Sequence, residues 1–145
     1  MKTIATHSET ETVAAGADFA HLLRTGDTVA CFGTLGSGKT RFIKGICSAL
    51  NIKEHVTSPT FTILREYSAD GLPVYHWDFY RVASLSEMRD LGFEESCGGT
   101  GICLVEWADR VKDLLPARRY DVWFTLGTEE TDRTITIDQR LGAKA

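Results

Sequence analysis

A three-layer α/β fold, one mixed sheet with helices on both faces, is what this sequence predicts, and three observations predict it. Residues 28–32 and 102–105 are short runs of almost wholly apolar character, the pattern of strands covered on both faces. Segments with apolar residues at helical intervals, within 13–23 and 42–50, lie on either side of the first run. Alternating strand-like segments bounded by turn residues occupy much of the remainder.

Taken in order, residues 3–7 read as a short first strand. Ser8 and Glu11 then stand in capping-box spacing before Val13, Ala14, Ala17, Ala20, Leu22 and Leu23, the apolar stripe of a first helix. Arg24-Thr25-Gly26-Asp27 is a turn, and the buried strand 28–32 follows it. After a glycine-rich turn, Phe42, Ile43, Ile46, Cys47, Ala49 and Leu50 outline a second helix beginning at Lys39. Residues 56–60 make a poor strand because of Pro59, whereas 61–67 alternate. The turn Ser68-Ala69-Asp70-Gly71 joins that strand to 72–79 as an antiparallel hairpin. Ser84 and Glu87 repeat the capping-box spacing ahead of Leu85, Met88 and Leu91, a short third helix. Gly98-Gly99-Thr100-Gly101 is a loop before the buried strand 102–105, and Val111, Leu114 and Leu115 mark a helix that Pro116 closes. Strands 120–126 and 134–137 form a C-terminal β-hairpin around Gly127, and residues 142–145 are expected to fray.

Composition bounds the function. The chain has 145 residues, 43% of them apolar, and 16 Lys and Arg against 20 Asp and Glu give a net charge of −4. A single domain over residues 1–145 is expected, since a chain of about this length buries roughly 68–70% of its unfolded surface and folds without staples. No apolar run approaches the ~20 residues of a membrane span and the N-terminus has no apolar signal core, so a cytoplasmic protein with no membrane partner is expected. An isoelectric point near 5.5 argues against a protein that grips nucleic acid by itself, because neutralising phosphates takes a dense basic face. The cysteines, Cys31, Cys47, Cys97 and Cys103, form no C-x-x-C pair and read as free thiols, with Cys97 and Cys103 a structural pair near the Gly-rich loop.

The string Gly33-Thr34-Leu35-Gly36-Ser37-Gly38-Lys39-Thr40 fits G-x-x-x-x-G-K-[ST] and lies between an apolar strand and a helix, the context that lifts this motif above chance. The fold is therefore expected to be P-loop NTPase-like. Gly33, Gly36 and Gly38 allow backbone N–H groups to converge on phosphate oxygens at a helix N-terminus. Lys39 adds a positive charge for the β and γ phosphates, and the Thr40 hydroxyl is placed to ligate Mg²⁺. Arg41 is either a solvated helix residue or a phosphate contact.

Mg²⁺ bound in this way needs a carboxylate near Thr40 at the end of a neighbouring strand, and two qualify. Glu106 ends the strand 102–105, and Asp78 sits in His76-Trp77-Asp78-Phe79-Tyr80-Arg81, where alternation puts His76, Asp78 and Tyr80 on one face. Two carboxylates suit two jobs, one on metal and one on the attacking water or on phosphate-linked signalling. His76 reads as a packed, hydrogen-bonded strand histidine ahead of a catalytic base. Trp107 suits core, nucleotide or partner, and Arg133 suits either nucleotide or solvent.

Together these motifs resemble the bacterial TsaE (YjeE) ATPases of tRNA threonylcarbamoyladenosine synthesis. The residues that carry the resemblance are Gly33 to Thr40, Ser58-Pro59-Thr60-Phe61, His76-Trp77-Asp78-Phe79-Tyr80-Arg81, the segment from Leu91-Gly92 to Glu95, and Val105-Glu106-Trp107. The likeness runs from about Ser8 to Leu126. It implies ATP hydrolysis with Mg²⁺ in support of a transferase pair, TsaB and TsaD, with tRNA met only through that complex. It further implies Thr40 and Glu106 on Mg²⁺, Lys39 with the loop residues Gly33, Gly36, Ser37 and Gly38 on phosphates, and Asp78 as the carboxylate on which hydrolysis depends. By the same likeness Ser58-Pro59-Thr60 is a switch-like segment near the γ-phosphate, and Ser8-Glu9-Thr10, at the start of the first helix, and Arg133 lie where adenine and ribose contacts fall. Thr34 and Ser37 depart from the family's usual Asp and Ala; position 34 is variable in the general motif. The alternatives are a small-molecule P-loop kinase, for which the chain offers only Arg118-Arg119 as a cluster of arginines, and a nucleotide-binding module without hydrolysis.

Overall fold

The structure, a computed structural model, describes residues 1–57, 63–82 and 84–142. Its strands are β1 (Lys2–Thr6), β2 (Thr28–Phe32), β3 (Leu64–Ala69), β4 (Leu72–Asp78), β5 (Ile102–Glu106), β6 (Arg118–Leu126) and β7 (Arg133–Leu141). Its helices are α1 (Glu9–Ala20), α2 (Lys39–Ala49), α3 (Leu85–Asp90) and α4 (Phe93–Ser96), with a 3-10 segment at Ala108–Leu114.

The seven strands form one sheet in the order β1-β7-β6-β2-β5-β4-β3. The inner pairs β6 with β2, β2 with β5 and β5 with β4 are parallel, and the outer pairs are antiparallel. This is the mixed sheet expected, with β6 and β7 as the C-terminal hairpin. Strand alternation divides the core in two. Val29, Cys31 and Leu104 face α1 and α2 with Phe19, Phe42 and Ile46, whereas Ala30, Phe32, Cys103 and Val105 face α3, α4 and the 3-10 segment with Met88, Phe93 and Val111. Helices on both faces make the three layers.

Both capping-box spacings form caps. Ser8 Oγ accepts the Glu11 N–H at 3.0 Å and Ser84 Oγ the Glu87 N–H at 3.3 Å. Several boundaries differ from the sequence reading. The segment expected as a helix before Pro116 is a 3-10 run broken at Val111, whose φ of −128° is not helical. The expected short third helix is α3, which stops where Gly92 takes φ 82°; the four-residue α4 that follows Gly92 has no counterpart in the sequence reading. β3 starts at Leu64, after Ile63 at φ 68°; the expected strand's first two residues and the segment Ser58-Pro59-Thr60-Phe61 lie outside the described residues. All four cysteines are free, and Sγ of Cys97 is 3.6 Å from Sγ of Cys103.

No described helix is long and apolar enough to cross a membrane. The carboxyl ends of the four parallel strands point to one edge, where loops of an α/β sheet assemble a ligand site.

Candidate functional site

The glycine-rich loop connects the end of β2 to the start of α2. Gly36 and Gly38 lie at φ 75° and 104°, in the left-handed region that suits glycine. Gly33 is held by close approach, since a Cβ there would lie 2.6 Å from Ser37 Oγ and 2.9 Å from the Phe124 carbonyl oxygen. Helix α2 begins at Gly38 with no side-chain cap and no acidic residue in its first turn. Its leading N–H groups and the positive end of its dipole are thus available to an anion. Lys39 is 4% exposed, donates to the carbonyls of Gly33 and, at 3.1 Å, of Thr34, and its Nζ lies 3.9 Å from the ring centroid of Trp107. Burial lowers the Lys39 pKa below its ordinary value, against the opposing pull of Glu106 foremost and of Asp78 and Asp109.

Two carboxylates reach the same edge from β4 and β5, whose register sets Asp78 beside Glu106. Both are 2% exposed. Glu106 divides its oxygens: Oε1 accepts the Thr40 hydroxyl at 2.7 Å, and Oε2 lies 2.6 Å from His76 Nε2. Asp78 Oδ1 accepts the Tyr80 N–H at 2.9 Å, which turns the chain at the end of β4. Thr40, Asp78 and Glu106 line a cleft of about 440 Å³ that they share with Ser8, Glu9, the glycine-rich loop, Tyr80 and Trp107. Among the described residues no three His, Cys, Asp or Glu side chains form a metal cage. The donors present, a hydroxyl and carboxylates, are hard oxygens, the kind Mg²⁺ accepts while taking its other ligands from phosphate and water.

Gly36, Ser37, Gly38, Lys39, Thr40, Arg41, Asp78, Glu106, Glu9 and Arg133 all border this cleft, while Gly33 packs beneath the loop. Arg41 and Glu9 pair with each other at 3.3 Å on the exposed rim. Arg133 is tied to backbone: its Nη1 donates to the carbonyls of Glu130 and Asp132, and its Nη2 to that of Gly36 at 2.9 Å. The last hairpin thereby grips the loop. Ser37 is 1% exposed and its Oγ has no hydrogen-bond partner among the described residues.

Trp107, left open between core, nucleotide and partner, and Tyr80, given only its face, both line the cleft, with ring centroids 4.8 Å apart. Trp107 holds φ 58°, uncommon for a bulky residue, and this turn lays its ring against Lys39. Thr12, Glu130 and Thr131 were missed altogether as lining residues. The only available signal was position, since Thr12 follows the cap of α1 and the other two precede Arg133.

With this geometry in view, comparison with known proteins is specific. A family model described as "Threonylcarbamoyl adenosine biosynthesis protein TsaE" matches residues 6–135. The tRNA threonylcarbamoyladenosine biosynthesis protein TsaE of Treponema pallidum is 41% identical over 131 residues, covering 90% of this chain and 95% of that one. Its Bacillus subtilis counterpart is 45% identical over 112 residues, 77% of this chain and 70% of that one. The crystal structure of Bacillus subtilis YdiB superposes with a TM-score of 0.81 at 34% identity, covering 97% of this chain and 86% of that chain.

Proposed function

The chain belongs to the TsaE family of tRNA threonylcarbamoyladenosine biosynthesis proteins, and from that premise we propose that it binds MgATP in the cleft, hydrolyses it slowly, and supports a TsaB–TsaD transferase pair in modifying tRNA. The observation that carries this reading is the convergence of the phosphate loop, Lys39, the Thr40–Glu106 contact and Asp78 on one cleft. Phosphoryl transfer is mostly positioning and charge stabilisation, and each of these groups supplies one part of that.

The loop amides and the N-terminus of α2 would cradle the phosphates, with Lys39 exchanging its carbonyl acceptors for phosphate oxygens. Thr40 and Glu106 would hold Mg²⁺, which when bound neutralises charge developing on the phosphate oxygens. Asp78 orients the attacking water and accepts its proton; one of its oxygens is fixed by the Tyr80 N–H. Glu9 and Arg133, which border the same cleft, are assigned to adenine and ribose, and Arg41, paired with Glu9 on the rim, to a phosphate. A net charge of −4 supports indirect contact with tRNA through protein partners, in the cytoplasm. The kinase alternative needs arginines free to clamp a transferred phosphate. Arg119 is instead engaged by Asp121 at 2.7 Å and by the Pro116 carbonyl.

The test is phosphate release from MgATP by the purified protein, with and without TsaB and TsaD. The expected result is slow release that rises with the partners and is abolished by Lys39→Ala. Asp78→Asn, which keeps the acceptor for Tyr80, should still bind MgATP but release phosphate at least tenfold more slowly, general acid–base help being worth roughly 10²–10⁴-fold. Phosphate found on a small-molecule acceptor, or no response to the partners, would overturn the proposal.

A further inference from the structure

We propose that His76 is a positioning residue for Glu106: its Nε2–H clamps one carboxylate oxygen and so aims the other at Thr40 and the metal. The inference rests on the reading of Glu106 as the metal-side carboxylate.

The contact is short, 2.6 Å, between two buried residues, His76 at 0% and Glu106 at 2% exposed. It crosses adjacent strands. In the β4–β5 register His76 sits opposite Leu104 and Asp78 opposite Glu106, so His76 reaches Glu106 along the diagonal on one face of the sheet. A carboxylate left with one partner can rotate about its last torsion. Here Thr40 takes Oε1 and His76 takes Oε2, and the plane of the group is set.

The rest of the imidazole packs near the Tyr67 ring, centroids 6.1 Å apart, a contact that does not require a histidine. Nδ1 is buried and has no hydrogen-bond partner among the described residues. With only one engaged nitrogen, the ring keeps its N–H on Nε2, where the carboxylate accepts it. Packing alone would favour an apolar side chain at this position, since Nδ1 loses water and gains nothing. His76 does not border the cleft either, so it touches no substrate and acts only through Glu106.

The experiment measures ADP affinity calorimetrically, in EDTA and across a Mg²⁺ titration, for the wild type, His76→Phe and His76→Gln. Phe fills the ring's volume without a donor, and the Gln amide reaches the position of Nε2. The expected result is equal ADP affinity in EDTA, within twofold, for all three proteins. The Mg²⁺ concentration for half-maximal enhancement should rise 10–100-fold in His76→Phe and stay within threefold in His76→Gln, the size of effect seen when metal ligands lose a supporting hydrogen bond. A His76→Phe protein whose Mg²⁺ response is within twofold of wild type overturns the proposal, as does a His76→Gln protein as impaired as His76→Phe. If thermal unfolding shows that His76→Phe does not fold, His76→Asn, whose amide is too short to reach Oε2, takes its place with the same expectations. A wild-type protein that binds ADP with no Mg²⁺ response refutes the metal-side reading of Glu106 itself, and does so without any His76 variant.

Discussion

Replacing Gly45 with alanine should destabilise the protein and weaken nucleotide binding, although alanine is the better helix former. Gly45 lies within α2 against α1, and a Cβ built there would stand 1.9 Å from the Val13 carbonyl oxygen and 2.9 Å from the Ala17 nitrogen. Close C–H···O contacts occur at about 3.3 Å, so the helices would have to separate locally by roughly 1.4 Å (3.3 − 1.9). Gly16 makes the reciprocal approach from α1, its added Cβ falling 2.0 Å from the Phe42 carbonyl oxygen. Both obstacles are backbone, which no rotamer change relieves. The cost therefore belongs near the top of the usual overpacking range, about 3 kcal/mol. Helix propensity returns about 1 kcal/mol, leaving a net loss of about 2 kcal/mol. At about 4 °C per kcal/mol for a chain of this size, Tm should fall by about 8 °C. Because α2 carries Lys39 and Thr40 at its first turn, displacing it should also lower nucleotide affinity well below the melting temperature. Urea unfolding and calorimetric titration with ADP measure the two effects. Ser48→Ala, on the exposed side of the same helix, is the control and should be neutral or slightly stabilising. A Gly45→Ala protein as stable as wild type would refute the idea that backbone contact fixes the height of α2.

Three further expectations follow from the same geometry. Arg133→Met removes the donors that hold the carbonyls of Gly36, Glu130 and Asp132, and should weaken ADP binding roughly tenfold in calorimetry while changing Tm little. His7 Nδ1 lies 2.9 Å from Asp132 Oδ1, and this partner raises the His7 pKa and lowers that of Asp132. The His7 contribution is complete below its unfolded pKa of about 6.5 and is lost as pH rises through the folded value; the Asp132 contribution is present above the ordinary carboxylate range and is lost as pH falls through its own. An NMR titration should give His7 a pKa above about 6.5 that Asp132→Asn returns toward it. Cys97 should be the thiol alkylated first by iodoacetamide, read by mass spectrometry. It is half-buried with its pKa lowered by the Cys103 hydrogen bond, whereas burial raises Cys103 and Cys31 and pushes Cys47 to about 12.

What was legible in the sequence was local. The phosphate loop is one contiguous string, the caps at Ser8 and Ser84 are fixed three-residue spacings, and Asp78 and Glu106 close strands whose alternation is visible. The contacts that complete the site join distant positions. Arg133 meets Gly36 97 residues away, and His76 meets Glu106 30 residues away, a pairing set by the β4–β5 register that periodicity alone does not give. The break at Val111 was hidden for another reason: the apolar spacing of a short α-helix and of a 3-10 turn is nearly the same over so few residues.

The same alternation ties the polar site to the apolar layer behind it. Val74, His76 and Asp78 on β4, and Ile102, Leu104 and Glu106 on β5, share the parity that faces α2. Trp77, Phe79, Cys103 and Val105 have the opposite parity and pack beneath, where Trp77 stacks on Phe79, meets Phe93 edge-on, and donates its indole N–H to Ser96 Oγ at 3.0 Å. A slip of one residue in β4 would put Trp77 against α2 and turn His76 and Asp78 away from Glu106. That slip would bury charge among Met88, Phe93 and Val111 and strand the indole N–H, so the far layer excludes it. The orientation of the groups around the phosphate loop is thus enforced by side chains that never reach the cleft, and α3 and α4 serve the site by fixing which face of β4 it sees.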